Sequence, residues 1–180
     1  MTDTQEKALI AQILDGSYDE YRYFVDRYHR GLVQHLYRMT YDGDTAEDIA
    51  QEAFIKAYEK LSQFNDAYAF STWLYRIADN IAIRQLQRTR VMQDLDEMQE
   101  YLPSDMPSPE EKTEQALNRQ AVRRAVRNLP LEYQRVINLY YWDNCSYEDI
   151  AVIMDRPVGT VRTWLHRAKE HLRKELDGQI

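Results

Sequence analysis

Apolar positions recur at intervals of three and four along most of this chain, and that spacing predicts helices rather than strands. A first helix runs from about Gln5 to Asp15 and stops at Gly16. Ser17, with Glu20 three residues on, has the form of a capping box for the next helix. Tyr21, Phe24, Val25, Tyr28, Leu32, Leu36 and Met39 then draw one long stripe. Asp44 and Thr45 open a third helix whose Ile49, Ala50, Ala53, Phe54, Ala57 and Leu61 face a core. A fourth runs from about Phe70 to Arg88, with Phe70, Trp73, Leu74, Ile77, Ala78 and Ile81 inward and Thr72, Arg76, Asn80, Arg84 and Gln87 outward.

Near the C-terminus two short helical patterns flank a Pro-Gly turn, the outline of a helix-turn-helix. Ser146 with Asp149 is the start signal of the first, and Ile150, Ala151, Ile153 and Met154 supply its buried face. Pro157 suits the first turn of the second, where its missing N–H costs nothing. Val158, Val161, Leu165, Ala168, Leu172 and Leu176 line the inner side of that helix. Opposite them lie Arg162, Thr163, His166, Arg167, Lys169 and Arg173, donors suited to base edges and phosphates in a major groove. Without a partner such a row is also an ordinary solvated face on a packed helical pair.

Composition agrees with helices. The 180 residues include only five Gly and five Pro, and the chain is expected to be all-α, two small helical domains on a flexible acidic linker. A net charge of −7 looks wrong for a nucleic-acid binder until it is located. Residues 91–118 carry eight carboxylates and one lysine, which equals the excess of the whole chain. The flanking segments, 1–90 and 119–180, are near neutral, the second slightly basic. Three prolines, two serines and no sustained apolar period make the acidic stretch a linker that cannot bury enough surface to order itself. The single Cys145 excludes an internal disulfide framework and suits a reducing compartment; it reads as a small buried apolar residue. No signal-like or bilayer-length apolar run is visible, so the expectation is a cytoplasmic protein without membrane insertion.

Two surfaces stand out in the N-terminal half. On the third helix Asp48, Glu52, Ile55 and Glu59, with Gln51 beside them, form an acidic and amide stripe around one aliphatic side chain. It is either a docking surface for a basic partner helix or a solvated face. On the fourth helix Arg76, Arg84, Arg88 and Arg90 offer phosphate contacts, and Asn80 can pair with a base edge. The preceding Phe64, Asn65 and Asp66 form a loop able to hold an unstacked base, with Phe64 and Tyr75 the better stacking candidates and Phe70 and Trp73 assigned to packing. Catalytic chemistry finds no support: His29, His35, His166 and His171 lack metal-ligand spacing, and there is no phosphate loop or nucleophile elbow. Neither an enzyme, nor a cofactor, nor a metal site is expected.

Taken together, AEDIAQEAFIKAYEKL, FSTWLYRIADNIAI, the acidic spacer and NLPLEYQRVINLYYWDNCSYEDIAVIMDRPVGTVRTWLHRAKEHLRK resemble a bacterial extracytoplasmic-function (ECF) sigma factor of the sigma-70 family, in order and spacing, over essentially the whole chain. The resemblance implies a region-2 domain over 1–90, a linker over 91–118 in place of region 3, and a region-4 domain over 119–180. It implies core RNA polymerase (β′ clamp and β flap) and promoter DNA as partners, with an anti-sigma factor as a third. Asp48, Gln51, Glu52 and Ile55 match the segment that grips the β′ clamp. Phe64, Asn65, Arg76, Asn80 and Arg84 match the region that captures the melted minus-ten strand. Arg162, Thr163, His166, Arg167 and Lys169 match the helix that reads the minus-thirty-five element as duplex. The acidic linker would lie in the polymerase channel, its carboxylates standing in for a nucleic-acid backbone. Near-neutral domains then make sense, because a subunit that takes its DNA affinity from polymerase needs little of its own.

Two other classes remain on the residues alone. A stand-alone helix-turn-helix regulator would dimerise and bind an operator unaided, and a protein-interaction module would use the acidic stripe only.

Overall fold

A computed structural model describes residues 3–95 and 114–177, and every regular element in them is helical. The helices are α1 (Asp3–Leu14), α2 (Arg22–Thr40), α3 (Gly43–Glu59), α4 (Phe70–Leu95), α5 (Glu114–Arg127), α6 (Leu131–Ile137), α7 (Tyr147–Met154) and α8 (Val158–Asp177). Helices α4 and α5 each reach five residues into the acidic stretch, and the rest of the linker lies outside the described residues.

Two separate apolar clusters organise the chain. The first is built from α1 to α4 around Phe24, Leu32, Leu36, Ile49, Phe70 and Leu74, all buried. Its third helix turns Ala46, Ala50, Ala53 and Ala57 inward, and those short side chains let α3 lie close against α2 and α4. The second cluster joins α5 to α8 through Val136, Ile137, Leu139, Ile150, Ile153, Val161 and Leu165. Of the partly buried residues, Tyr75 packs against both clusters.

Helix ends are set by the side chains able to cap them. Tyr41 closes α2 in the left-handed region (φ 55°), and Asp42 accepts the Thr45 amide at 2.6 Å to start α3. That bond holds the Asp42 carboxyl below its usual range. In α7 the expected capping box is present in both directions, between Ser146 and Asp149. At Ser17 it is not. The Ser17 side chain makes no cap there; Tyr18–Tyr21 forms a short 3-10 turn and α2 begins one residue later. At the end of that turn the Tyr21 hydroxyl donates to the Phe54 carbonyl at 2.9 Å, tying the segment to α3. Glu6 is only 3% exposed and receives the Tyr23 and Tyr28 hydroxyls and Arg27, tying α1 to α2.

Between α6 and α7 the chain widens into a π-turn over Asn138–Trp142. Such a turn adds a residue to the helical repeat and redirects the side chains beyond it. Here it leaves Leu139 in the core while Tyr141 and Trp142 stay exposed.

Leu165 is 2% exposed in the centre of the second cluster. Leu165→Ala is expected to lower the unfolding free energy by about 3 kcal/mol, read as a shift in the urea midpoint at constant slope. Ser146→Ala, which removes a solvent-side cap, is expected to cost about 1 kcal/mol in the same measurement.

Candidate nucleic-acid interface

The turn between α7 and α8 is fixed by Asp155, left-handed at φ 53°, with Arg156 and Pro157 exposed behind it. With Val161, Leu165 and Ala168 buried, α8 presents Arg162, Thr163, His166, Arg167, Lys169 and Arg173 to solvent, as the periodicity predicts. Helical geometry puts Thr163 and Arg167 farthest from the core and Arg162 and Lys169 on one flank. That flank meets aromatic rings. The Arg162 guanidinium lies 5.5 Å from the centroid of Tyr147, and the Lys169 ammonium 5.7 and 5.5 Å from Tyr140 and Tyr141. Tyr140 and Tyr147 stack on one another at 5.4 Å and 11°. The cations are thus restrained on a polarisable surface instead of sweeping through solvent. The Tyr141 hydroxyl raises the Lys169 pKa, keeping that charge fixed. Sequence reasoning missed this ladder; its signal was the pair Tyr140-Tyr141 a few residues before Tyr147, in a domain whose core is aliphatic. The Thr163 hydroxyl donates to the Gly159 carbonyl at 2.9 Å, and His166 stands 3.6 Å from Glu170.

The α4 row is divided. Asn80, Arg84, Gln87 and Arg88 are exposed, while the Arg90 side chain lies outside the described residues. At the other end Thr72, expected outward, is buried and donates to the Asp149 carboxylate at 2.8 Å. Arg76 is half-exposed and pairs with Asp155 at 3.4 Å. Helix α7 covers this end of the row, a contact no local pattern announces. Phe64 is half-buried with its ring 6.0 Å from Phe70 and 5.4 Å from Trp73, and Asn65 is exposed, its side-chain oxygen accepting the Ala67 amide at 2.9 Å. Tyr75 is not the free stacking candidate expected. It is enclosed between the two clusters, and burial pushes its hydroxyl well above the usual range.

The acidic stripe is as drawn from the sequence. Asp48, Gln51, Glu52 and Glu59 are exposed, and Ile55 is 60% exposed among them. Glu52 also pairs with Lys56 on the same helix. An aliphatic side chain left bare among carboxylates, with exposed Tyr58 one turn away, has the make-up of a contact centre with a charged rim.

Between the helical bodies the contact is mostly polar. Arg135 of α6 grips Asp79 of α4 with two guanidinium nitrogens, one at 3.2 Å, and both residues are buried. Asp143, at the end of the π-turn, accepts from His35 at 2.7 Å and from Arg38, both on α2. Tyr41 donates to the Gln134 side chain at 3.3 Å. A cavity of about 310 Å³ opens beside these groups, lined by Tyr28, Thr72, Tyr75, Asp143, Cys145 and Asp149 among others. Burial there, reinforced by Asp143, raises the Cys145 thiol to about 12, so it stays protonated. Among the described residues no cluster of His, Cys, Asp or Glu is arranged to hold a metal, and no helix is long and apolar enough to cross a membrane.

Comparison with known proteins agrees with this layout. Residues 24–91 match the family Sigma-70 region 2, and residues 119–172 match Sigma-70, region 4. The chain is 37% identical to the ECF RNA polymerase sigma factor SigW of Bacillus subtilis, covering 94% of this chain and 96% of that one. It is 35% identical to the RNA polymerase sigma-H factor of Pseudomonas aeruginosa, covering 98% and 96%. It is 37% identical to the ECF RNA polymerase sigma-E factor of Escherichia coli K12, covering 92% and 91%. In fold it resembles the sigma factor RpoE of Bartonella quintana, solved with the anti-sigma factor NepR, at a TM-score of 0.71 and 24% identity over 88% of this chain and 97% of that one. CnrH, solved with the cytosolic domain of CnrY, gives the same TM-score at 22% identity over 96% and 97%.

Proposed function

Because the chain belongs to the ECF sigma factors of the sigma-70 family, we propose that its two helical bodies divide promoter recognition between them on behalf of core RNA polymerase. The protein is an RNA polymerase sigma factor, an initiation factor and not an enzyme, acting in the cytoplasm where the polymerase and the promoter are. The carrying observation is the coincidence of each exposed surface with a matched region: the acidic stripe of α3 and the row on α4 fall in region 2, and the cationic face of α8 in region 4.

Each surface then has a physical task. Asp48, Gln51, Glu52 and Ile55 supply an apolar contact ringed by charge for the basic coiled coil of the β′ clamp, while the second body sits at the β flap. Arg162, Thr163, His166, Arg167 and Lys169 enter the major groove at the minus-thirty-five element, the outermost pair deepest and the aromatic-braced pair at the phosphates. Asn80 and Arg84, joined by Arg76, Phe64 and Asn65, hold the unpaired minus-ten strand; selective binding of extruded bases moves the duplex toward melting without nucleotide hydrolysis. The linker over residues 91–118 spans the two bodies through the polymerase channel. An anti-sigma factor that covers these surfaces is the inhibitor expected for such a chain.

Run-off transcription with purified core polymerase tests the whole reading: promoter-specific transcripts appear only when this chain is added. Specific operator binding by a dimer without polymerase would favour the stand-alone regulator instead. Asp48→Lys is expected to weaken core-enzyme association about tenfold with unchanged helicity, measured by pull-down and circular dichroism. Asn80→Ala is expected to reduce permanganate reactivity at the minus-ten region while duplex binding by the C-terminal body stays as in the wild type. Arg167→Ala is expected to lower the slope of log affinity against log salt by about one for the minus-thirty-five duplex.

A further inference from the structure

We infer that His35 is a proton-operated latch between the two helical bodies, closing α4 against α7 when the imidazole is charged and releasing it when the imidazole is neutral. The ring is fully buried at a core position of α2, between Leu32 and Leu36. A carboxylate faces each of its nitrogens, one from each body. Nδ1 lies 2.7 Å from Asp143 Oδ2, and Nε2 lies 3.8 Å from Asp79 Oδ1 without a hydrogen bond of its own.

A neutral imidazole has one N–H, and neither tautomer satisfies this site. With the proton on Nδ1, the Nε2 lone pair points at the Asp79 carboxylate; with the proton on Nε2, the lone pair meets Asp143 at bonding distance. Only the imidazolium offers a donor to both. Also at the site are Arg38 on the same helix, paired with Asp143, Tyr75 of α4 with its ring 5.0 Å away, and Arg135 of α6, which grips both oxygens of Asp79. Two arginines already balance the two carboxylates, so the proton on His35 adds a positive charge that is not otherwise compensated. The site is therefore poised and not permanently charged. Burial pulls the ring toward neutrality, but the hydrogen bond with Asp143 and the negative charge of both carboxylates outweigh it and leave its pKa above the ordinary value.

Opening removes Asp143 and Arg135, which belong to the C-terminal body, and lets water reach the ring. The pKa then returns toward about 6.5. The closed form binds the proton more tightly, so this contribution is fully present below that value and is lost as pH rises through the higher value of the closed form. Each unit separating the two values changes the closing constant by about tenfold. Closure buries Thr72 and pairs Arg76 with Asp155, so a neutral His35 frees that end of the α4 row. This functional consequence rests on the minus-ten assignment above; the latch itself rests only on the contact geometry.

Small-angle scattering of the full chain between pH 5.5 and 8.5 tests it, alongside NMR titration of the histidine ring protons. The expected result is a radius of gyration that increases with pH, with a midpoint matching that of one histidine titrating above its ordinary value. His35→Gln is expected to abolish the dependence, and Asp79→Asn to move the midpoint to lower pH. A wild-type radius that is constant over this range overturns the latch, as does a midpoint matched by no histidine. An unaltered midpoint in Asp79→Asn overturns it too, even if His35→Gln fails to fold. Run-off transcription at a single pH reports on the sigma reading separately, so the two can fail independently.

Discussion

The arrangement depends on a charged contact being buried where a larger apolar one would be expected. Asp79 and Arg135, with His35, Arg38 and Asp143 beside them, occupy the centre of the junction between two bodies that each own a complete apolar cluster. Desolvating such groups consumes most of what their attraction returns, so an ion pair stabilises a junction less than well-packed leucines would. It also demands one geometry. The result is a contact that is specific when made and separable when broken, because the apolar clusters are distinct and, among the described residues, only Tyr75 packs against both. For a protein whose two halves must reach DNA elements far apart, a separable junction is the useful kind.

Much of this was legible from short-range pattern. Alternation of three and four marked α1 to α4, α7 and α8 but not α5 and α6, and the Ser146–Asp149 pair marked the start of α7 because capping involves residues only three apart. The faces of α3 and α8 come from the same rule, since a helix with one buried side must expose the other. What failed had long-range causes. Ser17 has the residues of a cap but makes none, and the turn that follows it ends at Tyr21, whose partner Phe54 is 33 positions away. Thr72 and Tyr75 sit where a helix surface should be, but Thr72 bonds Asp149, 77 positions later, and Tyr75 packs against the second cluster.

His35 shows the limit more sharply. In sequence it is one of four histidines lacking metal-ligand spacing, and its partner Asp143 is 108 positions distant. The local hint was its place inside the α2 stripe, between Leu32 and Leu36, where a polar ring must find a buried partner or be strained. Nothing short of the packing could say that the partners are carboxylates on both sides. The aromatic ladder under Arg162 and Lys169 is similar, since the π-turn that aims Tyr140 and Tyr141 breaks the 3.6-residue period on which the reading depends.

The junction also separates the surfaces by availability. The acidic stripe on α3 is bare in the closed arrangement, with Ile55 its most exposed apolar side chain, and α8 keeps its cations in solvent. The row on α4 is different: Asn80 and Arg84 are exposed, but Thr72 and Arg76 are engaged by Asp149 and Asp155 of the other body. Those two aspartates also serve the ends of α7, the first helix of the helix-turn-helix: Asp149 completes its capping box and Asp155 is its C-cap. The carboxylates that shape the first helix of the helix-turn-helix are therefore the same ones that occupy part of the α4 row. A rigid-body movement of the whole C-terminal body, which carries Ile150 and Ile153 of α7 with it, would release that row and leave each cluster intact, because the Ser146–Asp149 cap stays within α7 when Thr72 lets go.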